Sequence, residues 1–281
     1  MECEQAAMTS PTAHPAQAAR ATVHFIGAGP GAADLITVRG QQLLARCGVC
    51  LYPGSLTPTD LLAHCPPGAR LVDTADLTLD DIVDTLVQAC RDGHDVARLC
   101  SGDPAVYSAV AEQMRRLDAA DVPYDVTPGV PAFSAAAAVL GRELTVPTVG
   151  QSLVLTRAQA RSTSMPDGEE LATFAKSGTT LALHLAVNRV EQVVDELLPH
   201  YGADCPAAVV AKATQPGETV LRGTLGDIAG QVRDAGVNRA AMIFVGRVLA
   251  AENFPDSFLY SPGRERHAPG DPYCENGGQP H

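Results

Sequence analysis

The sequence predicts an α/β protein of two domains, with a mostly parallel sheet in the N-terminal domain and a mixed sheet in the C-terminal domain. From Thr22 onward, short apolar runs alternate with segments of helical periodicity, which is the pattern of βαβ units. In the second half, two extended runs are joined by the short turn TQPGE, and such a hairpin requires antiparallel strands. The length of 281 residues suits two domains, since domains commonly have about 100–200 residues.

The boundary between the domains is predicted near residue 130. The segment PGVPAF at 128–133 forms a stiff elbow, because Pro128 and Pro131 restrict the backbone around Gly129. The segments beyond the two domains are rich in Ala, Pro, Gly and polar residues, which predicts disorder. The predicted parts are a disordered leader, an N-terminal α/β domain, a C-terminal α/β domain and a disordered tail, at 1–21, 22–130, 131–260 and 261–281.

In the N-terminal domain each predicted strand leads through a turn, and usually into a helix. Residues 23–26 form an apolar strand that ends in the turn GAGPG, and Thr37 can cap the helix that follows. The best helix is Leu79–Arg91, where apolar residues recur at spacings of three and four between Thr78 at its start and Gly93 at its end. The other predicted elements are helices at 38–47 and 61–64 and strands at 49–52, 71–72, 95–101 and 123–127.

The C-terminal domain has a less regular pattern. The segment RAQARSTSMPDGEE at 157–170 mixes Pro, Gly, Ser and charge without apolar periodicity, which predicts a mobile surface loop. The predicted elements are helices at 134–140, 190–198 and 225–233 and strands at 152–156, 180–184, 207–212, 219–222 and 241–245.

The composition argues against several classes of partner. The net charge is −12 at pH 7, which disfavours nucleic acid and anionic membranes, because both require a basic surface. No apolar run reaches the roughly 20 residues that span a bilayer, and the first twenty residues lack the apolar core of a secretory signal. The eight cysteines are scattered along a long chain, which is typical of reduced thiols in a cytoplasmic protein.

Cys47 and Cys50 form a CxxC motif that has two interpretations. It could serve redox chemistry or bind a metal, or it could place one thiol at the end of a helix and the other in the next strand. No second CxxC and no pair of histidines lies at ligand spacing. We therefore expect no metal site.

The GAGPG turn is the first candidate ligand site. Gly27, Gly29 and Gly31 remove side chains from the turn, so that a ligand can touch the backbone. Pro30 has a fixed φ and no N–H, so this turn is stiffer than an ordinary phosphate loop and has one anion donor fewer.

The second candidate site is SGDP at 101–104. Asp103 follows a predicted strand and stands between Gly102 and Pro104, and open α/β sheets bind ligands at the carboxyl ends of their strands. A carboxylate there suits a hydroxyl or an ammonium group. The alternative is that Asp103 caps a helix at 105–117, and the two roles are compatible.

Familiar catalytic motifs are missing from the sequence. It contains no HExxH, no GxSxG and no glycine loop followed by Lys-Ser/Thr, so the residues name no nucleophile and no general base. His184, inside the apolar run TLALHLAV, is interpreted as a core or pocket residue. The glycine turn by itself leaves two other classes open, a nicotinamide-dependent oxidoreductase and a module that senses a nucleotide. GAGPG differs from GxGxxG, however, and Leu51 and Tyr52 occupy the region where an acidic residue would bind the ribose.

Four segments, in order, resemble the tetrapyrrole methylase family, the S-adenosylmethionine-dependent enzymes of cobalamin and sirohaem synthesis. They are IGAGPGAADLITVRG at 26–40, SGDPAVYSAVAEQM at 101–114, PGVPAF at 128–133 and IFVGRV at 243–248. The resemblance extends over about 22–260. It implies a methyltransferase with two α/β domains, S-adenosylmethionine in the cleft between them, and a homodimer.

The glycine turn and the positions that match the family's motifs give a set of expected cofactor contacts. These are Gly27, Gly29, Pro30, Gly31, Ser101, Gly102, Asp103, Val106, Pro131, Ala132, Leu185 and Ala213. The implied substrate is a tetrapyrrole with acetate and propionate side chains, which requires local cations. The candidates are Arg142, Arg157, Arg161 and Lys176. No catalytic side chain is implied, because transfer of an activated methyl group mainly requires positioning.

Overall fold

The computed structural model describes residues 20–54, 57–159 and 164–260. The described chain separates into two compact units, the first made of 20–28 and 36–129 and the second of 29–35 and 130–260. Each unit contains one five-stranded sheet among its described residues. The predicted tail at 261–281 and all of the predicted leader except Arg20 and Ala21 lie outside the described residues.

The first unit is built on an all-parallel sheet with the strand order β3-β2-β4-β1-β5, which confirms the predicted parallel class. Its elements are β1 Val23–Gly27, α1 Val38–Leu44, β2 Val49–Tyr52, α2 Thr59–Leu62, β3 Arg70–Asp73, α3 Leu79–Arg91, β4 Val96–Cys100, α4 Ala111–Ala119 and β5 Tyr124–Thr127. Phe25, Leu51, Leu86 and Leu117 are fully buried in one cluster that joins the sheet to α3 and α4. Central strands buried in this way explain why the sequence has near-continuous apolar runs here.

Helix α3 begins and ends where the sequence predicts. The Thr78 side chain accepts a hydrogen bond from the Asp81 N–H while the Asp81 carboxylate accepts from the Thr78 N–H, which completes a capping box. At the other end Gly93 has a φ of +85°, the left-handed conformation that ends many helices.

The second unit is built on a mixed sheet with the order β6-β7-β10-β8-β9, as the predicted hairpin requires. Its elements are α5 Ala132–Leu140, β6 Leu153–Arg157, α6 Leu171–Ala175, β7 Thr180–His184, α7 Val190–Tyr201, β8 Pro206–Ala211, β9 Thr219–Thr224, α8 Ile228–Asp234 and β10 Ala241–Val245. Strands β6 and β7 are parallel, and the other neighbouring pairs are antiparallel.

Strand β8 separates the two layers of the core in the second unit. Ala207 and Val209 belong to the cluster formed with α7 and α8, whereas Ala208 and Val210 belong to the cluster formed with α5. Successive side chains of a strand point to opposite faces, so both faces of this sheet are covered.

The alternative prediction for the segment after β4, a helix that begins at residue 105, is wrong. A helix at 105–117 capped by Asp103 was the alternative considered above, but α4 begins at Ala111, and no side chain caps it. Tyr107 and Ala109 have φ values of +52° and +51°, which a right-handed helix does not allow. The helix α6 was not predicted, and it is short. Within the described residues, no helix combines the length and the apolar character needed to cross a bilayer.

Candidate functional site

The first unit has a change of winding direction at the carboxyl ends of β1 and β4. These strands are neighbours, but the chain leaves β1 toward β2 and leaves β4 toward β5, in opposite directions along the sheet. Loops that diverge in this way open a crevice at the strand ends, which is where open α/β sheets bind ligands. The predicted ligand turns GAGPG and SGDP begin at this edge.

Three glycines hold the loops of this edge in contact. A Cβ on Gly27 would lie 2.5 Å from the Cα and N of Gly129, and a Cβ on Gly129 would overlap the carbonyl oxygen of Gly102. Gly102 also has a φ of +69°, which favours glycine. Gly27 therefore serves the approach of two backbones, in addition to any exposure of the turn to a ligand. Gly129 was part of the predicted elbow, but the sequence analysis did not include it among the site residues.

Asp103 connects the loop after β4 to the loop after β5. One carboxylate oxygen accepts a hydrogen bond from the Ala105 N–H at 2.7 Å, and the other accepts from the Gly129 N–H at 2.8 Å. Hydrogen bonds to a charged group are stronger than neutral ones. The carboxylate thus acts as a brace between two ligand loops, and its remaining lone pairs stay available to a ligand.

The loop that contains Val106 is connected by side-chain hydrogen bonds to a buried arginine in β4. Arg98 is 7% exposed; its Nε donates to the Gln113 side chain at 3.1 Å, and Gln113 donates to the Ala109 carbonyl at 2.8 Å. Burial lowers the pKa of the Arg98 guanidinium. This chain of bonds holds the left-handed turn that includes Tyr107, whose side chain is 47% exposed.

Within the second unit, the residues at 29–35 pack against the turn after β8. The Pro30 carbonyl accepts a hydrogen bond from the Gln215 side chain at 2.7 Å, and the Ala32 N–H donates to the Thr214 hydroxyl at 3.1 Å. A Cβ on Gly31 would overlap Gln215. The structure therefore brings Pro30 and Gly31 close to the turn that contains Ala213.

The strand ends of the second unit are strained. Leu185, directly after β7, has a φ of +52° and is 69% exposed, and Lys212 and Thr214 after β8 have φ values of +50° and +67°. Left-handed backbone at residues other than glycine costs energy and is concentrated at functional sites. Pro131 and Ala132 lie at the start of α5, with Pro131 as its N-cap residue.

Two buried ionisable groups at the strand ends, Cys100 and His184, favour their neutral forms. Burial raises the pKa of the Cys100 thiol to about 11, with Arg98 opposing the shift and the Asp103 carboxylate adding to it. Burial lowers the pKa of His184, which disfavours the imidazolium. Neither group adds a charge to these strand ends at pH 7.

The predicted substrate cations are spread over the second unit. Arg142 lies just after α5 and lines a cavity together with Arg222, whereas Arg157 and Lys176 are not among the residues that line it. The Arg157 guanidinium donates to the carbonyls of Ala158 and Ser164. Arg161 lies outside the described residues. Arg222 was not predicted to line this cavity. The TVLRGT run shows its position only when the pairing of β8 with β9 is known.

The CxxC cysteines are buried thiols. Cys47 and Cys50 are free and buried, and burial raises the pKa of Cys47 to about 12. A hydrogen bond between Cys50 and Cys65 raises the pKa of Cys50 and lowers that of Cys65. Among the described residues, no group of three or more His, Cys, Asp or Glu side chains is arranged to hold a metal ion.

The fold defines a two-sheet α/β protein whose glycine-containing loops meet at the strand ends, and comparison with known proteins gives the family. The model of the tetrapyrrole (corrin/porphyrin) methylases matches residues 22–229. The chain belongs to this family.

Several relatives have been named individually. A precorrin-4 C(11)-methyltransferase of Rhodococcus erythropolis is 63% identical over 245 residues, which is 87% of this chain and 98% of the relative. The one from Mycobacterium tuberculosis is 59% identical over 244 residues, 86% of this chain and 97% of the relative. A cobalt-precorrin-4 C(11)-methyltransferase of Priestia megaterium is 41% identical over 228 residues, 81% of this chain and 88% of the relative.

Solved structures agree with these relatives. A cobalt precorrin-4 methyltransferase superimposes with a TM-score of 0.79 at 40% identity, covering 81% of this chain and 95% of that one. A uroporphyrin-III C-methyltransferase from Thermus thermophilus, in complex with S-adenosyl homocysteine, has a TM-score of 0.69 at 27% identity, covering 81% and 93% of the two chains.

Proposed function

We propose that this protein is an S-adenosylmethionine-dependent C-methyltransferase that converts precorrin-4 to precorrin-5 by methylation at C11. The observation that carries this proposal is the 63% identity over 98% of a relative named for that reaction. The segments YPGSLTP at 52–58 and GRELTVPTVGQSLVLTRAQARSTSMPDGEEL at 141–171 resemble the same enzyme, although Pro53 and Thr57 stand where Ala and Val are expected.

The metal-free substrate is favoured over the cobalt-containing one. Precorrin-4 enzymes are 53–63% identical to this chain, whereas cobalt-precorrin-4 enzymes are 38–41% identical. Cobalt-precorrin-4 is the second candidate substrate, supported by the structural similarity to an enzyme named for it. A competition between the two substrates separates these candidates.

The chemistry of the predicted cofactor residues fits S-adenosylmethionine. The set contains Asp103 as its charged member and no Lys or Arg, so it suits a cofactor that carries a sulfonium and an ammonium better than one that carries a pyrophosphate. The Pro30 nitrogen cannot donate a hydrogen bond, and its carbonyl is bonded to Gln215. These residues recognise a ligand by shape and by backbone contact, which is what a cofactor without phosphate requires.

The protein's part in the reaction is to position the two partners. S-adenosylmethionine supplies a methyl group that is already activated, so an electron-rich carbon can accept it without a strong base. The loops braced by Asp103 and by the Gly27–Gly129 contact hold the backbone at the strand ends fixed. Fixed loops keep the reacting atoms at about 3–3.5 Å and in line, which can supply much of the rate acceleration. The raised pKa of Cys100 keeps its thiol protonated at pH 7, so it presents no thiolate that could compete for the methyl group.

The carboxylates of the substrate require cations in a chain of net charge −12. We assign this role to Arg142, Arg157, Arg161 and Lys176, and charge reversal at Arg157 should raise the Michaelis constant for the tetrapyrrole. We also expect a cytoplasmic homodimer, which analytical ultracentrifugation would test.

The first test is of the cofactor. Differential scanning with S-adenosylhomocysteine should raise the unfolding temperature, whereas NAD should not. A shift with NAD alone would indicate an oxidoreductase, and a shift with neither would favour a binding module that lacks this activity. Incubation of precorrin-4 with labelled S-adenosylmethionine should then add one labelled methyl group to the product, as measured by mass spectrometry.

A further inference from the structure

The second unit contains a small cavity that is lined by apolar residues and two arginines. Its volume is about 150 Å³, comparable to an engineered cavity that holds benzene. The residues that line it are Leu140, Arg142, Pro206, Ala207, Ala208, Arg222, Gly223, Leu249 and Ala250. The two arginines are its charged members, and the other side chains offer no polar group.

Arg222 reaches this cavity because of the register of the hairpin. It lies opposite Ala208 in the β8–β9 pair, and Ala208 faces the cluster formed with α5. Its Nη2 donates to the Leu140 carbonyl at the end of α5, at 2.9 Å. Arg222 is exposed, and its guanidinium has five N–H donors, so the bond to Leu140 orients the side chain and leaves other donors for a ligand that enters the cavity.

Arg142 lines the same cavity and lies just after Leu140, the residue to which Arg222 is bonded. Gly141 ends α5 with a φ of +62°, which turns the chain away from the helix. The Nη1 of Arg142 then donates to the Ala251 carbonyl at 3.3 Å. Both arginines are thus held by single bonds to backbone carbonyls.

Neither arginine has a carboxylate partner among the described residues. The acids of the neighbouring segments are directed elsewhere: Asp227 packs at the Cα of Gly223, on the opposite face of the hairpin from Arg222, and accepts from the Thr224 N–H. Glu143 accepts from the Thr145 hydroxyl, and Glu252 is exposed. Two cations without an anion are notable in a chain with 32 acidic and 20 basic residues.

We propose that this cavity is a carboxylate-binding subsite, in which Arg142 and Arg222 bind the carboxylate and the alanine and leucine side chains contact the carbons that bear it. Arginine binds carboxylates through paired N–H donors, and binding pockets commonly combine an apolar lining with a few polar groups. The volume is too small for a macrocycle. The ligand is a short aliphatic carboxylate, either free or carried as a side chain by a larger molecule. The second of these sources rests on the proposed function.

The test uses the full chain, with propionate as the probe and propionamide as its neutral isostere. Backbone amide NMR signals of Ala207, Ala208 and Gly223 should shift saturably with propionate and stay unchanged with propionamide. Arg142→Gln and Arg222→Gln should each weaken propionate binding about tenfold, the effect of roughly one charge-assisted hydrogen bond. Arg222→Lys, which retains the charge, covers the case in which Arg222→Gln fails to fold. Arg233→Gln is the control, because Arg233 pairs with the exposed Glu191 at 3.4 Å and does not line the cavity.

A competition experiment identifies the source of the carboxylate. Displacement of propionate by uroporphyrin III, but not by its octamethyl ester, would support a carboxylate carried by a tetrapyrrole. Failure of uroporphyrin to displace it would support a free small carboxylate. Equal shifts with propionamide, or propionate shifts that persist in the Arg142→Gln/Arg222→Gln double variant, would overturn the proposal. All of these experiments measure binding and none measures methyl transfer. A negative result would therefore overturn the carboxylate subsite without contradicting the proposed methyltransferase activity.

Discussion

The loops at the strand ends are built differently in the two units. In the first unit, glycine backbones touch each other, and Asp103 ties two loops together. Left-handed conformations at residues with side chains occur in both units, at Tyr107 and Ala109 in the first and at Leu185, Lys212 and Thr214 in the second. What distinguishes the first unit is the contact between glycine backbones, whereas the second unit presents Leu185 with 69% of the residue exposed. Substitutions in the loops of the two units should therefore differ in their effects on stability and on ligand affinity.

The largest effect is expected at the glycine contact. Gly129→Ala should lower the free energy of unfolding by about 3 kcal/mol, the upper part of the range for overpacking, because the new Cβ meets backbone atoms that cannot rotate away. The matched control is Gly230→Ala in α8, where the nearest atom is an Arg233 guanidinium nitrogen at 3.7 Å. It should raise stability by about 0.5–1 kcal/mol. Urea unfolding measures both, and equal changes in the two variants would contradict the comparison.

The next effect is expected at Asp103. Replacement by Ala leaves the N–H groups of Ala105 and Gly129 without their acceptor, and stability should fall by about 2 kcal/mol. Affinity for S-adenosylhomocysteine should fall as well, since the loops at the strand ends lose their brace. Calorimetric titration checks this, and an unchanged affinity would remove Asp103 from the site. Asp103→Asn should recover little, because an amide provides one acceptor oxygen in place of two.

A smaller and more selective effect is expected at Leu185. Replacement by Gly relieves a left-handed conformation that costs about 1–2 kcal/mol but adds about 0.5–1 kcal/mol of backbone entropy, so stability should change by less than about 1 kcal/mol. If the exposed side chain contacts the cofactor, affinity for S-adenosylhomocysteine should fall about tenfold, within the value of burying a leucine. Leu71→Ala, at another exposed leucine, should leave affinity unchanged. A loss of stability without a loss of affinity at Leu185 would count against the assignment.

The last effect concerns alkaline pH, and it should be greater in the first unit. Burial raises the pKa of Cys47 to about 12 and those of Cys90 and Cys100 to about 11, from 9.0. Their neutral forms are favoured on folding, so the stability they contribute is complete below pH 9 and is lost between pH 9 and about 12. In the second unit, burial raises the pKa of Tyr201 to about 12 from 10.0 and also raises the pKa of Cys205 from 9.0, so part of the loss there begins near pH 9 and the rest only near pH 10. Hydrogen exchange corrected for intrinsic rates should show β4 opening before β10 as pH rises, and the reverse order would contradict this account.

Much of the architecture could be predicted because it is determined locally. Helix α3 has its cap at Thr78, its glycine at Gly93 and its apolar spacing between them, and it was predicted to the residue. The hairpin of β8 and β9 was predicted from the turn between two extended runs. In both cases the signal lies within about fifteen residues of sequence.

The parts that could not be predicted depend on contacts between distant residues. Asp103 was predicted to be a ligand-binding carboxylate, with a helix cap as the alternative, and the sequence did not show that one of its oxygens is bonded to Gly129, 26 residues away. Nor did it show the left-handed conformations of Tyr107 and Ala109. Arg222 reaches the cavity through strand register and through a bond to Leu140, 82 residues away. The glycines of GAGPG were read as bare backbone for a ligand, and Gly27 proved to be packed against another loop as well.

The central claim is the position at which the methyl group is transferred. Precorrin-4 and cobalt-precorrin-4 should be incubated together with the protein and S-adenosylmethionine carrying a ¹³C-labelled methyl group, and the products analysed by ¹³C NMR. We predict a single labelled methyl on C11 of the metal-free product, formed in preference to the cobalt-containing one. Label at another carbon, or no label in either product, would contradict the proposed function.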